Sequence, residues 1–190
     1  MDQLKLSDER YEEIKPIVVE TFKKYKISCI PVSGYEIVTK MGYKIVLYSS
    51  LNDEKLAAAR AFSTDGFSMF NEGTWVIYLN DIDTGYKRQN NTLLHEIGHI
   101  VLDHTEDSEL ADKEANFFAK YALVPPVLVY KLKLKSVSEI EEIFEVSHEA
   151  AVYALEYYCK WYNYSGSIKP YEIELADLFG FNLNISGGEA

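Results

Sequence analysis

The sequence predicts an α+β fold, in which helices pack on a small, mainly antiparallel β-sheet and a short helical segment follows near the C-terminal end. Three observations lead to this prediction. Apolar residues recur at helical spacing over several segments, shorter runs have the β-branched and aromatic content of strands, and turn residues separate the two kinds of segment. The 190 residues, of which 47% are hydrophobic and 26% charged, suffice for one compact core.

The first half of the chain predicts two helices and three strands. The apolar spacing indicates an opening helix from Ser7 to Lys24, with Ser7 as its N-cap. A second, short helix is expected to start at Pro31 and Ser33 and to stop at Gly42. Strands are expected at Lys44 to Ser49, Gly66 to Phe70 and Thr74 to Asn80, the last two joined by the turn Asn71-Glu72-Gly73.

The second half is predicted to be helical. Helices are expected from about Thr92 to Leu102, from about Ser108 to Leu123, near Ser138 to Phe144, and from Ser147 to Tyr162. The second of these ends before Pro125-Pro126, because the residue before a proline disfavours helical geometry. These elements predict a core over residues 1–135, a helix pair packed on it over 136–164, and a looser tail over 165–190.

Composition disfavours several classes of protein. Thirty acidic against nineteen basic residues give a formal charge of −11, which repels nucleic acid, and the basic run Lys131, Lys133 and Lys135 is expected on a solvated loop or strand face. No apolar run approaches the roughly 20 residues that span a bilayer, and the first residues lack a secretory signal, so a cytoplasmic protein is expected. Cys29 and Cys159 are too few for a disulfide framework and are expected to be small core residues.

The main candidate for chemistry is an H-E-x-x-H motif within a predicted helix. Its histidines, His95 and His99, lie about 40° apart around the helix axis, so both imidazoles can reach one metal ion. Glu96 is near enough to contact a bound water without being a ligand, as a general base requires. One zinc ion per chain is expected, because two imidazoles, a carboxylate and a water form an open tetrahedral site.

The third ligand is not fixed by the motif. His104 falls about 180° from the first histidine on a continued helix, so we expect it at the helix end or behind the ligands. The next predicted helix offers Glu109, Asp112 and Glu114. Asp112 is expected to point inward from the edge of the apolar stripe, with Asn116 as a partner behind it, while Glu114 points away and Glu109 stays possible.

Three motifs occur in order along the chain: TLLHEIGHIVLDH, DKEANFFAKYALVPP and IEEIFEVSHEAAVYAL. Together they resemble the ImmA/IrrE family of metallopeptidases, over roughly Lys44 to Trp161. The resemblance implies a zincin-like core with His95 and His99 as zinc ligands and Glu96 as the catalytic base. It also implies an acidic third ligand at the position of Asp112, where the family usually has glutamate, so the shorter side chain leaves Glu114 and Glu109 as alternatives.

The resemblance further implies a function. Members are zinc-dependent proteins of phages, mobile elements and bacteria, several of which cleave helix-turn-helix repressors. A zinc endopeptidase is therefore expected, whose protein substrate is a transcriptional repressor and whose action derepresses phage, mobile-element or stress genes. The substrate is expected to add as an extended strand along Thr74 to Asn80, taken as the edge of the sheet.

Two other functions compete with peptide hydrolysis. One is a non-cleaving antagonist that binds a regulator on a degenerate zincin scaffold, and the other is a zinc ion that only holds two helices together. The helix pair near the C-terminal end resembles a DNA-binding motif, but residues 138–162 carry six glutamates and one lysine. Such a surface predicts a platform for a protein partner and no direct contact with DNA. The oligomeric state is not predicted.

Overall fold

The chain folds into nine α-helices and a three-stranded sheet over the residues that the structure describes, 5–106, 108–164 and 167–182. The structure is a computed structural model. The helices are α1 (Asp8–Tyr25), α2 (Gly34–Met41), α3 (Asp53–Phe62), α4 (Tyr86–Val101), α5 (Glu109–Leu123), α6 (Pro126–Leu132), α7 (Val137–Phe144), α8 (His148–Tyr164) and α9 (Pro170–Leu178). The strands are β1 (Lys44–Leu47), β2 (Gly66–Asn71) and β3 (Thr74–Leu79). The predicted α+β class is confirmed.

Side-chain caps determine where several helices begin. The Oγ atoms of Ser7, Ser33 and Ser108 accept hydrogen bonds from backbone N–H groups in the first turns of α1, α2 and α5. Each bond satisfies a donor that the helix itself leaves free, which is why these three starts could be predicted from sequence. Gly42 ends α2 in the left-handed conformation, with φ of 74°, as its position predicted.

The sheet has the strand order β1-β3-β2, with β1 parallel and β2 antiparallel to β3. The expectation that Thr74 to Asn80 forms an edge strand is therefore wrong, because β3 is central and β2 lies at the edge. The physical reason is burial: Val76, Ile77 and Leu79 of β3 are all buried, as suits a strand covered by neighbours on both sides. A two-residue turn joins β2 to β3, and both of its residues, Glu72 and Gly73, have positive φ.

The sequence analysis missed helices α3 and α6. Helix α3 is capped by Asn52 and is rich in alanine, so it lacks the apolar stripe by which helices were recognised. Helix α6 starts with Pro126 at its first position, which proline tolerates, and ends at Lys133 in the left-handed conformation. Lys131 therefore lies in the last turn of α6 and Lys133 at its end, while Lys135 is exposed in the loop that follows, as expected for part of this run.

The region expected to be a loose tail contains helix α9. It packs against α1, where the rings of Phe22 and Phe179 lie 5.9 Å apart and Lys23 pairs with Glu174 at 2.7 Å. These contacts with a distant segment, rather than a local pattern, account for its order. Residues 183–190, with the expected Gly187-Gly188 ending, lie outside the described residues.

Two further expectations concern the surface. Cys29 and Cys159 are both exposed and unbridged, so the expectation that they are core residues is wrong. Cys159 lies on the solvent side of α8 and Cys29 in the loop before α2. Across the described ranges, no helix combines the length and apolarity needed to cross a membrane.

Helix α4 is held in the centre of the molecule between the sheet, α2 and α5. Its residues Leu93, Leu94 and Ile97 are fully buried. On the side of α5 the two helices approach closely at Gly98, where an added Cβ would lie 3.1 Å from the Cα of Ala115. Glycine is therefore needed at this crossing, which brings the polar face of α4 next to the first turn of α5.

Candidate metal centre

Three side chains from α4 and α5 converge at one point. The Nε2 atoms of His95 and His99 lie 3.0 Å apart, and Oδ1 of Asp112 lies 3.5 Å from the first and 3.4 Å from the second. Around a tetrahedral zinc ion with bonds of about 2.0 to 2.1 Å, ligand atoms are about 3.3 Å apart. The three distances therefore fit a zinc ion, and a set of three protein ligands leaves a fourth position open, as in catalytic sites.

The open side of the three ligands faces a cleft of about 670 Å³. Helix α3 and strand β2 form one wall, while α4, α5 and the loop after α4 form the other. The first wall contributes the apolar side chains of Phe62, Phe67, Met69 and Phe70, and β3 adds Trp75. The cleft thus presents a polar side with the ligand atoms and an apolar side with exposed rings.

Glu96 lies beside the two histidines and is only 7% exposed. Its Oε2 accepts a hydrogen bond of 2.7 Å from the hydroxyl of Ser68 on β2. Burial raises the pKa of Glu96, an effect that the Ser68 hydrogen bond and the nearby His95 partly offset. A carboxyl with a raised pKa is a stronger base than an ordinary glutamate once it is ionised.

His99 is held in the neutral form that a metal ligand needs. Burial, followed by the positive charge that His95 and His104 would carry, lowers the pKa of His99 to about 4. A neutral imidazole keeps a lone pair free for a metal ion at neutral pH. The Nδ1 atom of His95 is buried and has no hydrogen-bond partner among the described residues.

The structure separates the three carboxylates that were candidates for the third ligand. Asp112 joins the two histidines, and its side chain is 56% exposed at the mouth of the cleft. Glu109 is exposed and pairs with Lys113 at 2.6 Å. Glu114 is buried, so the expectation that it points away from the interior is wrong, because helix α1 covers the Glu114 side of α5.

The carboxylate of Glu114 is bound on both oxygens. Arg10 of α1 donates to Oε1 from Nε at 2.8 Å and to Oε2 from Nη2 at 2.6 Å, and His104 Nε2 lies 3.0 Å from Oε2. The guanidinium of Arg10 holds the pKa of Glu114 below its usual range, more strongly than burial raises it. Both oxygens of Glu114 are therefore hydrogen-bonded to these partners, and Glu114 does not belong to the group of side chains around the candidate metal position.

The other two expected site residues lie on either side of the ligands. Helix α4 ends at Val101, and the chain turns at Asp103, which has a φ of 56°. His104 therefore folds back behind His99, and the Nδ1 atoms of the two rings lie 3.0 Å apart. Asn116 lies one turn after Asp112 on α5, is exposed, and lines the cleft. Among the described residues no hydrogen bond joins Asn116 to Asp112.

Two residues near the site had no signal in the sequence. Ser68 lies 28 positions before Glu96, and only the pairing of β2 with β3 turns its hydroxyl toward α4. Arg10 lies 104 positions before Glu114 and looks like any charged residue of an amphipathic helix. The fourth histidine of the chain, His148, pairs with Glu141 on α7 and does not line the cleft.

The backbone of β2 offers hydrogen bonds to the cleft. In a hairpin with a two-residue turn, the pair flanking the turn is hydrogen-bonded, and every second pair after it. Asn80 N–H donates to the carbonyl of Asp65 at 2.9 Å, which agrees with this phase. The N–H and C=O groups of Ser68 and Phe70 and the carbonyl of Gly66 therefore point away from β3, toward the open edge, whereas the Gly66 N–H donates to the Ser63 hydroxyl at 3.1 Å.

Comparison with known protein families places the converging side chains within a family domain. The model of a peptidase family, described as the IrrE N-terminal-like domain, matches residues 45–156, which is more than half of the chain. The matched segment runs from β1 into α8 and contains the three converging side chains and Glu96. No curated protein gives a significant match to this chain.

Proposed function

Because this chain belongs to the peptidase family of the IrrE N-terminal-like domain, we propose that it is a zinc-dependent endopeptidase. Family membership supports a peptidase-type function in general. The observation that carries the finer proposal is the convergence of His95, His99 and Asp112 at zinc-ligand spacing, with Glu96 held beside them in an open cleft. A site with only a structural role would have no use for a buried carboxylate at this place.

In this proposal His95, His99 and Asp112 hold the ion and Glu96 moves the proton. When bound, zinc supplies a Lewis acid that polarises the scissile carbonyl and lowers the pKa of a water molecule to about 7. Ser68 occupies Oε2 of Glu96 and leaves Oε1 to accept a proton from the attacking water. The protonated carboxyl then gives this proton to the leaving amine, and burial favours the protonated form in between.

The substrate is proposed to bind as an extended strand along the edge of β2. The outward N–H and C=O groups of Ser68 and Phe70 and the carbonyl of Gly66 would pair with it, as in other cases of strand addition. Side chains of the substrate would alternate between the two faces of the sheet, where Phe62 and Phe70 are 72% and 61% exposed. The cleft therefore favours an unfolded or loop segment with large apolar side chains on alternate residues.

The protein substrate is proposed to be a helix-turn-helix transcriptional repressor, so that cleavage derepresses phage, mobile-element or stress genes. Two properties of this chain support a partner of that kind. Its formal charge of −11 complements a basic DNA-binding protein and speeds their encounter. The acidic helices α7 and α8 add a surface for such a partner outside the cleft.

The test is to incubate the purified protein with repressors encoded near its gene and to identify fragments by mass spectrometry. We expect fragments with the wild type and zinc, and none after chelation or with Glu96→Gln, whose metal ligands are intact. Measured zinc content of Glu96→Gln provides the control. Fragments that persist in this variant would refute the proposal, and binding of the repressor without any fragment would favour the non-cleaving antagonist.

A further inference from the structure

A continuous chain of hydrogen bonds runs from helix α1 to one of the two histidine ligands. Arg10 binds both oxygens of Glu114, whose Oε2 lies 3.0 Å from Nε2 of His104, and Nδ1 of His104 lies 3.0 Å from Nδ1 of His99. We call Arg10, Glu114 and His104 the relay. We propose that the relay fixes the ring orientation and the tautomer of His99, and so sets the zinc affinity of the site. This inference rests on the proposed metal site.

Hydrogen positions along the relay follow from the need for a ligand at one end. If Nε2 of His99 gives its lone pair to a metal ion, the ring proton must lie on Nδ1. That proton is donated to Nδ1 of His104, which must then carry its own proton on Nε2 and donate it to Glu114. From His99 through His104 to Glu114 each bond therefore has one donor and one acceptor in the same direction, and the series ends on the carboxylate, to which Arg10 donates from the other side.

Burial of the relay favours this arrangement of hydrogen bonds. The side chains of His104 and Glu114 are 11% and 8% exposed, so water cannot replace either partner freely. The Arg10 guanidinium compensates the buried carboxylate with two parallel hydrogen bonds, the geometry in which arginine binds carboxylates most strongly. A negative charge behind an imidazole makes its ligand nitrogen more basic, which strengthens metal binding.

The two histidine ligands differ in this respect. The Nδ1 atom of His95 has no partner among the described residues, whereas that of His99 is held by the relay. Ligand histidines usually donate this proton to a carboxylate, a carbonyl or water. Among the described residues, the relay is therefore the hydrogen-bonded support behind the histidine pair. Its loss should directly weaken zinc binding.

The first member of the relay lies outside the segment that the family model matches. That match covers residues 45–156, whereas Arg10 lies in the first turn of α1. Helix α1 packs against α5, and Arg10 reaches over this contact to Glu114. In this chain the opening helix is thus more than a scaffold, because it supplies the guanidinium that holds the Glu114 carboxylate in place.

The test measures zinc binding by the full-length protein and needs no substrate. Dissociation constants for Zn²⁺ are obtained by competition with a chromophoric chelator, for the wild type and for Arg10→Met, Arg10→Lys, Glu114→Gln and His104→Phe. The matched control is Glu13→Gln, because Glu13 is the other ion-pair partner of Arg10, at 2.8 Å on the exposed side. Circular dichroism of each metal-free variant establishes that it is folded.

We expect zinc affinity to fall roughly 10- to 100-fold in Glu114→Gln and His104→Phe, the usual effect of removing a partner behind a ligand. Arg10→Met should weaken binding as well, and Arg10→Lys should recover part of the loss, since lysine keeps the charge without the paired geometry. Glu13→Gln should stay within about twofold, because exposed ion pairs contribute little.

A second measurement separates positioning from simple stabilisation. Imidazole ¹⁵N spectra of the zinc-loaded wild type should have the proton of His99 on Nδ1, and His104→Phe should shift that signal. Folded variants with wild-type zinc affinity and an unchanged His99 signal would overturn the relay and leave the metal site standing. If the wild type itself takes up no zinc, both the relay and the proposed function are refuted, whereas zinc uptake without proteolysis refutes the function alone.

Discussion

Replacing Gly98 by alanine should push α4 and α5 apart and thereby weaken the candidate metal centre. The added Cβ would lie 3.1 Å from Cα and 3.2 Å from the carbonyl oxygen of Ala115, and 3.2 Å from Cβ of Phe118. Carbon atoms in good contact are about 3.5 to 4.0 Å apart, so the helices must separate by roughly 0.3 to 0.5 Å. Two of the three obstructing atoms are backbone atoms, which cannot move aside without moving the whole helix.

The energetic consequence is a balance of two effects. Overpacking costs about 1 to 3 kcal/mol of the free energy of unfolding, while alanine in place of glycine within a helix returns about 1 kcal/mol. A net loss of about 0 to 2 kcal/mol is expected. The larger effect should be on zinc, because α5 carries Asp112 and metal sites tolerate errors of only about 0.2 Å in ligand position.

The assay combines urea unfolding of the metal-free protein with zinc competition. Gly98→Ala should bind zinc at least about tenfold more weakly than the wild type, and Gly98→Val, with two more carbon atoms, should be worse in both measurements. If helix propensity alone mattered, alanine would stabilise the protein and leave zinc affinity unchanged. That result would refute the close crossing of α4 and α5 as the feature that positions Asp112.

Three other predictions concern hydrogen bonds and protons. Ser68→Ala removes a hydrogen bond that lowers the pKa of Glu96. The acid limb of the pH profile of kcat/KM should therefore move to higher pH. An acid limb at the wild-type pH would argue against Glu96 as the base. Tyr121→Phe should raise the free energy of unfolding by about 1 kcal/mol in urea, because the buried hydroxyl has no partner among the described residues; a loss would mean that it has one. The lowered pKa of Glu114 gives stability that is present above about pH 4.3 and is lost as pH falls through the folded value, so Glu114→Gln should have a flatter acid unfolding curve. A curve as steep as that of the wild type would contradict this assignment.

Local sequence patterns predicted the helices and turns that are determined by residues close together in the sequence. Helices α1, α2 and α5 have serine caps and apolar stripes, and the turn before β3 contains a glycine with positive φ. Helix α9 was missed because contacts with α1 order it, and these join residues far apart in the sequence. The predicted edge position of β3 was wrong for the same reason, since a strand's neighbours are determined by the whole fold and not by its own composition.

For the site, the motif on α4 predicted which residues of that helix share a face, and the structure brings both histidines together with Asp112. The interpretation of α5 as a helix with one inner stripe was too simple, because α1 covers a second side of it and buries Glu114. Ser68 could not be found, since its role depends on the register between β2 and β3. Side chains that touch across elements leave no spacing pattern for sequence analysis to detect.

The free edge of β2 also affects how copies of this protein behave together. Among the described residues this strand edge is unpaired, and with exposed apolar side chains, Phe70 at 61% and Met69 at 44%, it is a template for pairing with another copy of itself. The formal charge of −11 opposes such pairing, because identical acidic molecules repel one another over about 10 Å at 0.1 M salt. High salt screens this repulsion, and acidification removes it by bringing the net charge toward zero. Solubility and access to the cleft should therefore decline together as ionic strength rises, with self-association and substrate competing for one edge.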